Sequence, residues 1–262
     1  MPVAPPPYPE GHDLLRGKTV VITAAAGTGI GFATARRCLE EGAEGILISD
    51  VHERRLAAAA EELAKIEGPE RVHTQLCNVT REEDVGALFT TANDRLGRID
   101  VLVNNAGLGG TTPLVEMTDE QWDAIVGVTL GGTFRMTRAA LRQMQPRGSG
   151  VIVNNASVLG WRAQEGQAHY AAAKAGVMAL TRCAAVEAAP FGVRVNAVAP
   201  SLAMHQFLSK VTPEDLLEEL VGREAFGRAA ETWEVANVIV FLASGYSSYM
   251  TGEVVAVSSQ HP

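Results

Sequence analysis

The 262 residues suit one large α/β domain or two small ones, and at 47% hydrophobic and 20% charged they can bury a sizeable core. Acidic residues outnumber Lys and Arg by 30 to 22, the formal net charge is −8 and no basic run occurs, which argues against nucleic acid and against an anionic membrane surface as partners. No apolar run approaches the ~18 residues of a membrane span, and three scattered cysteines, Cys38, Cys77 and Cys183, without a CxxC, suit a reducing, cytoplasmic setting.

The start, MPVAPPPYPEGHD, lacks the basic and apolar regions of a secretory leader. Its four prolines within residues 2–7 predict an extended or disordered arm over residues 1–14. Residues 18–23 (KTVVIT) have the apolar, β-branched pattern of a buried parallel strand. AAAGTGIG follows, then a helix over 32–42. Gly27, Gly29 and Gly31 do not complete GxGxxG, because Phe32 stands at its third glycine. They fit TGxxxGxG better, with Ala24 and Ala25 in place of its Thr and first Gly. Between a strand and a helix such a turn aims backbone N–H groups at a pyrophosphate; taken alone it is also compatible with a plain tight turn.

A second strand over 45–49 (GILIS) leads into Asp50, nineteen residues after Gly31. That is near the ~20-residue spacing of an acid that accepts from the adenine-ribose hydroxyls. Asp50 as a helix N-cap is the competing reading. Val51, Thr28, Arg54 and Arg55 give no sign of a 2′-phosphate site, so NAD is expected rather than NADP. Leu56, Ala60, Leu63 and Ile66 form one face of a helix that stops near Gly68-Pro69. The third strand, 71–76, ends in Cys77-Asn78-Val79. A helix over 82–96 leads to a fourth strand, 100–103, that enters Asn104-Asn105-Ala106-Gly107. A single long helix is predicted over 119–144, with Gly131-Gly132 allowing close approach of another helix.

The fifth strand, 151–155, runs into Ser157. On the next helix, 169–189, Tyr170 and Lys174 are four residues apart and share a face. A hydroxyl, a phenol and an ammonium make a small acid–base site. The phenol needs its pKa of about 10 lowered toward neutrality, which a neighbouring ammonium and an oxidised nicotinamide ring would favour. Strand 193–198, a short helix near 213–222, a helix over 231–243 and strand 252–257 complete the chain. The expected fold is therefore α/β: a single-domain, Rossmann-type, doubly wound parallel sheet of about seven strands with helices on both faces, spanning 15–262. Asp50, Asn78, Asn105, Ser157 and Pro200 all fall at carboxyl strand ends, where such sheets bind ligands. No metal is expected.

With these residues in place, the chain resembles the short-chain dehydrogenase/reductase family over residues 15–257. The glycine turn, NNAG, Ser157, YxxxK and RVNAVAP (Arg194 to Pro200) occur in the family's order and spacing. The resemblance implies Tyr170 as acid/base, Ser157 as hydrogen-bond partner of the substrate oxygen, and Lys174 as the group that lowers the Tyr170 pKa and holds the nicotinamide ribose. It places the cofactor along Ala25, Thr28, Gly29, Ile30 and Gly31, then Asp50, then Asn78 and Val79. The path continues by Asn105, Ala106 and Gly107 to Tyr170, Lys174, Pro200 and Ala203. It also implies a homotetramer.

The sequence departs from the pattern in four places. Thr129 replaces the helical Asn that supports a proton-relay water, and is kept as a site residue. Asn78 replaces an Asp. Ser201 and His205 replace a Gly and a Thr after Pro200, with His205 either in the site or in a surface loop. Ser258-Ser259-Gln260 replaces Asp-Gly-Gly. Within the family, TAAAGTGIG, NNAGLGG, NNASVLGWRAQ, REAFGRAAE and the ending QHP resemble bacterial dehydrogenases of steroid side-ring degradation, which act on a hydroxylated, CoA-linked bicyclic remnant. A 3-oxoacyl-thioester reductase is the alternative, and a catalytically silent dinucleotide sensor a remote one. Arg162, Lys210 and Arg223 are candidates for a CoA phosphate.

Overall fold

The computed structural model describes residues 3–205 and 214–260. Seven strands form one parallel sheet in the order β3-β2-β1-β4-β5-β6-β9. They are β1 (Thr19–Thr23), β2 (Gly45–Asp50), β3 (Val72–Leu76), β4 (Val101–Asn104), β5 (Gly150–Asn155), β6 (Val193–Pro200) and β9 (Val254–Val257), while β7 (Ala203–Met204) and β8 (Ala230–Glu231) pair separately. The helices are α1 (Ile30–Glu40), α2 (Glu53–Glu67), α3 (Glu82–Leu96), α4 (Asp119–Val126), α5 (Thr133–Arg147), α6 (Ala168–Ala188), α7 (Glu214–Gly222) and α8 (Thr232–Ala243).

Strand alternation builds the two cores. Val20 and Ile22 of β1 and Ile46 and Ile48 of β2 face one side, against Leu39 of α1, Leu56 and Leu63 of α2, and Val235 and Ile239 of α8. Val21, Leu47, Leu102 and Ile152 face the other, against Val85 and Leu88 of α3, Met136 and Met144 of α5, and Ala184 of α6. Both faces of the sheet are covered, which is why the strands read as continuous apolar runs rather than alternating ones. Strand order reverses between β1 and β4, and the crevice at that switch point is where the predicted ligand residues collect.

Three features differ from the sequence expectations. The predicted long helix is interrupted: residues Gly127–Gly132 form a π-helical segment between α4 and α5. Its glycines do not meet another helix. A Cβ on Gly132 would lie 2.5 Å from Val79 at the end of β3, so this glycine lets the helix approach a strand end. Helix α1 starts two residues earlier than predicted, at Ile30, bringing its N-terminus inside the glycine turn.

Residues 3–14 run extended and are docked. Arg37, almost fully buried in α1, donates to the carbonyls of Pro9 (2.6 Å) and Glu10 (2.9 Å) and pairs with Glu41. Glu41 in turn accepts from the N–H groups of His12 and Leu14. Tyr8 packs edge-on against Trp233 and hydrogen-bonds Glu40. Among the described residues no helix is long and apolar enough to cross a membrane.

Candidate active site

Tyr170 and Lys174 lie in the first two turns of α6, on the face turned toward the ends of β4 and β5. Lys174 is only 3% exposed. Its ammonium donates to the Asn155 carbonyl (2.6 Å) and stands 5.5 Å from the centre of the Tyr170 ring. Ser157 follows β5 in extended conformation, and its hydroxyl accepts the Leu159 N–H (3.2 Å), capping the short turn Val158–Gly160. The same hydroxyl lies near enough to the Tyr170 phenol to favour its ionised form. Serine, tyrosine and lysine thus meet in one cluster, with Ser157 and Lys174 buried and Tyr170 half-buried.

Burial governs their electrostatics. It pushes the Tyr170 phenol above its usual value, with the nearby Ser157 hydroxyl drawing it back, and it lowers the Lys174 ammonium from 10.5 to about 8. Enclosure penalises any charged form, so phenolate and ammonium are both disfavoured. The expected lowering of the phenol by Lys174 is therefore absent in the protein alone.

The crevice beside this cluster has the features of a dinucleotide site. Gly27 is at φ +99°, and even Ala24 is at φ +51°, so the chain turns sharply out of β1. A Cβ on Gly31 would lie 2.5 Å from both the Ala24 carbonyl and the Asn105 amide, so α1 begins against the end of β4 at a distance only glycine permits. No side chain caps the α1 N-terminus at Gly29, leaving its first N–H groups for an anion. At the end of β2, Asp50 is 8% exposed. Burial raises its pKa, opposed by Arg55 (3.9 Å) and by the Ala26 and Val51 N–H groups. It accepts from His52 N–H but does not cap α2, whose N-cap is His52 itself.

Comparison with known proteins decides the family. A family model described as Enoyl-(Acyl carrier protein) reductase matches residues 24–259. The chain is 63% identical over 254 residues, 96% of each protein, to the (5R,7aS)-5-hydroxy-7a-methyl-1-oxo-2,3,5,6,7,7a-hexahydro-1H-indene-carboxyl-CoA reductase of Mycobacterium tuberculosis. It is a short-chain dehydrogenase/reductase. A 3-oxoacyl-(acyl-carrier-protein) reductase of Thermotoga maritima is 40% identical over 243 residues, 93% of this chain and 97% of that one. Among solved structures, a short chain dehydrogenase from Mycobacterium smegmatis superposes with a TM-score of 0.87 at 59% identity, covering 98% of both chains. Levodione reductase gives 0.88 at 35% identity, over 94% of this chain and 97% of the other.

Within this dehydrogenase, Thr28, Gly29, Ile30 and Gly31 line the mouth of the glycine turn, and Asn105, Ala106 and Gly107 face it from β4. A Cβ on Gly107 would lie 3.5 Å from the Lys174 ammonium and 3.7 Å from the Thr129 hydroxyl, so this loop passes directly over Lys174. Pro200 and Ala203 sit at the end of β6 and in β7, both buried. Asn78, half-buried, caps the turn after β3, accepting from Thr80 N–H (3.0 Å) and the Thr80 hydroxyl (2.8 Å).

Three expected contacts are corrected. Ala25 is fully enclosed in the core and spends its N–H on the Ser49 carbonyl, so it offers nothing to a cofactor directly. The Val79 side chain belongs to the core against Gly132, which leaves only its main chain for a ligand. Thr129 is fully buried in the π-helical segment; its hydroxyl accepts Leu108 N–H (3.1 Å) and donates to the Leu108 carbonyl (3.3 Å). It staples the loop after NNAG and has no proton to pass to a water without releasing Leu108. His169, an alternative base by position, accepts the Tyr170 N–H at Nδ1 and is 1% exposed. Of the suggested phosphate-binding side chains, Arg223 is paired with Glu219, Arg162 bonds Gln260, and Lys210 lies outside the described residues.

The residues missed in the sequence are Asn104, Asn154 and Asn155, the partners of the expected Asn105 in the two NNA strings. At the ends of β4 and β5, successive residues point to opposite faces. Asn104 and Asn154 bond each other (2.9 Å) and the hydroxyls of Thr137 on α5 and Thr181 on α6. Asn155 donates to Asn105 (2.9 Å), which donates to the carbonyls of Thr23 and Ala24. The first pair ties the sheet to its helices; the second joins Lys174 to the glycine turn. The repeated NNA was the available signal. An open groove of about 710 Å³ beside Trp161, Leu114 and Ala171 lies off this cluster and includes none of Ser157, Tyr170 and Lys174. Among the described residues no cluster of His, Cys, Asp or Glu could hold a metal ion.

Proposed function

We propose that this oxidoreductase interconverts a secondary alcohol and a ketone on a CoA-linked bicyclic remnant of steroid rings, using NAD, as a cytoplasmic homotetramer. The observation that carries the reading is 63% identity across 96% of a reductase of that chemical class, combined with an intact Ser157–Tyr170–Lys174 cluster. Trp161 and Leu108, both exposed, supply apolar surface for a fused-ring substrate, while Leu202 is buried in the core.

The residues present fit a nicotinamide dinucleotide. The uncapped α1 N-terminus and the Cβ-free approach at Gly31 receive the pyrophosphate, and Asp50 accepts from a free ribose diol. When bound, the nicotinamide accepts a hydride in oxidation and returns it in reduction. Tyr170 takes the substrate hydroxyl proton in oxidation and gives it back in reduction. Ser157 holds the substrate oxygen, and Lys174, anchored on the Asn155 carbonyl, stays close enough to the phenol to stabilise its anion once a positive ring is added. The enclosure that raises the phenol's pKa in the protein alone also strengthens that added attraction.

Asp50 repels a 2′-phosphate, so NAD is favoured at least ~10-fold in kcat/KM, equivalent to about 1.4 kcal/mol. Asp50→Ala narrows that preference. Absorbance at ~340 nm, the nicotinamide band that reports hydride transfer to the cofactor, is read with NAD and NADP side by side against CoA-thioester and steroid alcohols. Equal turnover with NADP sinks the cofactor assignment. Activity confined to linear 3-oxoacyl thioesters favours the second reading, which the Thermotoga relative at 40% identity supports.

A further inference from the structure

The segment after β9 departs from the family pattern, and its side chains close a chain of hydrogen bonds between the two walls of the cleft. Glu224, 4% exposed, lies between α7 and β8. One of its oxygens accepts Leu202 N–H (3.4 Å) and the Gln260 amide (2.8 Å), and the other accepts the Ser259 hydroxyl (2.8 Å). The Gln260 carbonyl oxygen in turn accepts from Arg162. A neutral amide thus sits between a guanidinium and a buried carboxylate, its dipole aligned with both. Arg162 makes no other side-chain hydrogen bond or ion pair among the described residues.

We propose that Gln260 is a positioning residue for catalysis: by bridging Arg162 and Glu224 it holds the Ser157 turn against the segment that follows β6. Residues 157–162 form a tight unit. Leu159 N–H bonds the Ser157 hydroxyl, Gly160 N–H the Ser157 carbonyl, and the N–H groups of Trp161 and Arg162 both bond the Val158 carbonyl. Fixing Arg162 therefore fixes the Ser157 hydroxyl. On the other wall, Glu224 holds Leu202, and Ser201 N–H bonds the Val257 carbonyl (3.2 Å). Pro200 and Ala203, the expected nicotinamide-side residues, flank that segment. The bridge sets the distance between the group that orients the substrate oxygen and the wall that receives the cofactor. The residues beyond the turn are exposed or half-exposed, and their other ties, Thr112 N–H to the Gly166 carbonyl (2.9 Å) and the Gln167 amide to the Thr111 hydroxyl (3.0 Å), lie at the far end of the segment.

This assignment rests on the proposed reaction for its kinetic readout, and hydrogen exchange supplies one that needs neither substrate nor cofactor. Gln260→Ala speeds amide exchange across residues 158–166 in the protein alone, lowers kcat/KM about tenfold through misplacement of the reacting groups, and leaves NAD affinity unchanged. Gln260→Glu alone does the same damage, because it sets a second carboxylate against Glu224. The double exchange Gln260→Glu with Glu224→Gln again places an amide opposite a carboxylate and recovers slow exchange and turnover in part, short of wild type because the new amide nitrogen cannot accept the Leu202 N–H. Wild-type exchange and turnover in Gln260→Ala would overturn the assignment. So would a double exchange that stays as impaired as the single variants. If no CoA-linked alcohol is turned over by the wild type, the exchange measurements still decide the bridge, and the substrate reading fails by itself.

Discussion

At the scale of single residues, the site contains two ionisable groups that burial opposes in opposite directions. Tyr170 is pushed above 10 and Lys174 down to about 8, so the protein alone holds a neutral phenol. Its pKa has to fall when the positive nicotinamide ring binds. The ultraviolet phenolate titration of wild type minus Tyr170→Phe therefore shows a transition above pH 10 without NAD and a lower one with it; an unchanged midpoint defeats this account. Turnover of Tyr170→Phe falls by about 10²–10⁴ with NAD binding retained, the range for loss of a general acid–base.

Lys174 makes a second prediction. The folded ammonium releases its proton near pH 8 and the unfolded one at 10.5, a difference of about 3 kcal/mol carried as a cost at neutral pH. Between those values the unfolded chain binds more protons, so this contribution to stability improves as pH rises from 8 to 10.5. Lys174→Met removes the cost along with the activity. The variant should unfold no earlier than wild type at pH 7, and any advantage should shrink by pH 10.5. A melting temperature well below wild type at pH 7 contradicts the argument.

At the scale of elements, the π-helical segment explains Thr129. One extra residue per turn re-aims a side chain that an α-helix would place differently, and such bulges recur at functional sites. Here the hydroxyl is brought onto both backbone groups of Leu108, and the Thr129 carbonyl accepts from Thr133 (2.7 Å). Thr129→Val keeps the shape but removes the acceptor of the Leu108 N–H, a part-buried hydrogen bond with a net worth of about 0.5–1.5 kcal/mol. Denaturant unfolding should register that loss, while turnover falls less than ~10-fold, the lower edge of general acid–base effects. A large fall in turnover with unchanged stability would return Thr129 to the proton path. The glycine turn shows the same dependence on neighbours: Gly31 is needed because Asn105 of β4 reaches across to Ala24.

At the scale of the whole molecule, α4, α5 and the π-helical segment between them leave Trp122 and Phe134 exposed on the same side of the fold as α6. The proposed homotetramer would cover them. Light scattering at micromolar concentration should give about four times the 27.7 kDa chain mass, and at least twice; a monomer counts against the assembly. The docked arm is a second whole-molecule feature. It joins the end of α1 to Trp233 on α8 and, through Val3 N–H to the Phe226 carbonyl (2.9 Å), to the loop after α7.

Periodicity and spacing alone determined the α/β class, the seven parallel strands and the placement of Asp50, Asn105, Ser157, Tyr170 and Lys174 near one edge of the sheet. That information is local: apolar runs mark buried strands, glycines mark turns, and a four-residue spacing on a helix sets two side chains on one face. Tertiary structure alone decided what each group can do there. Whether Lys174 was buried or exposed, whether Thr129 faced a water or Leu108, whether Ala25 offered its N–H, and whether Gln260 met Arg162 all depend on segments tens of residues apart in the chain. The pKa values follow the same division. The side-chain types set their starting points, and the exclusion of water by the assembled sheet, helices and loops moved them.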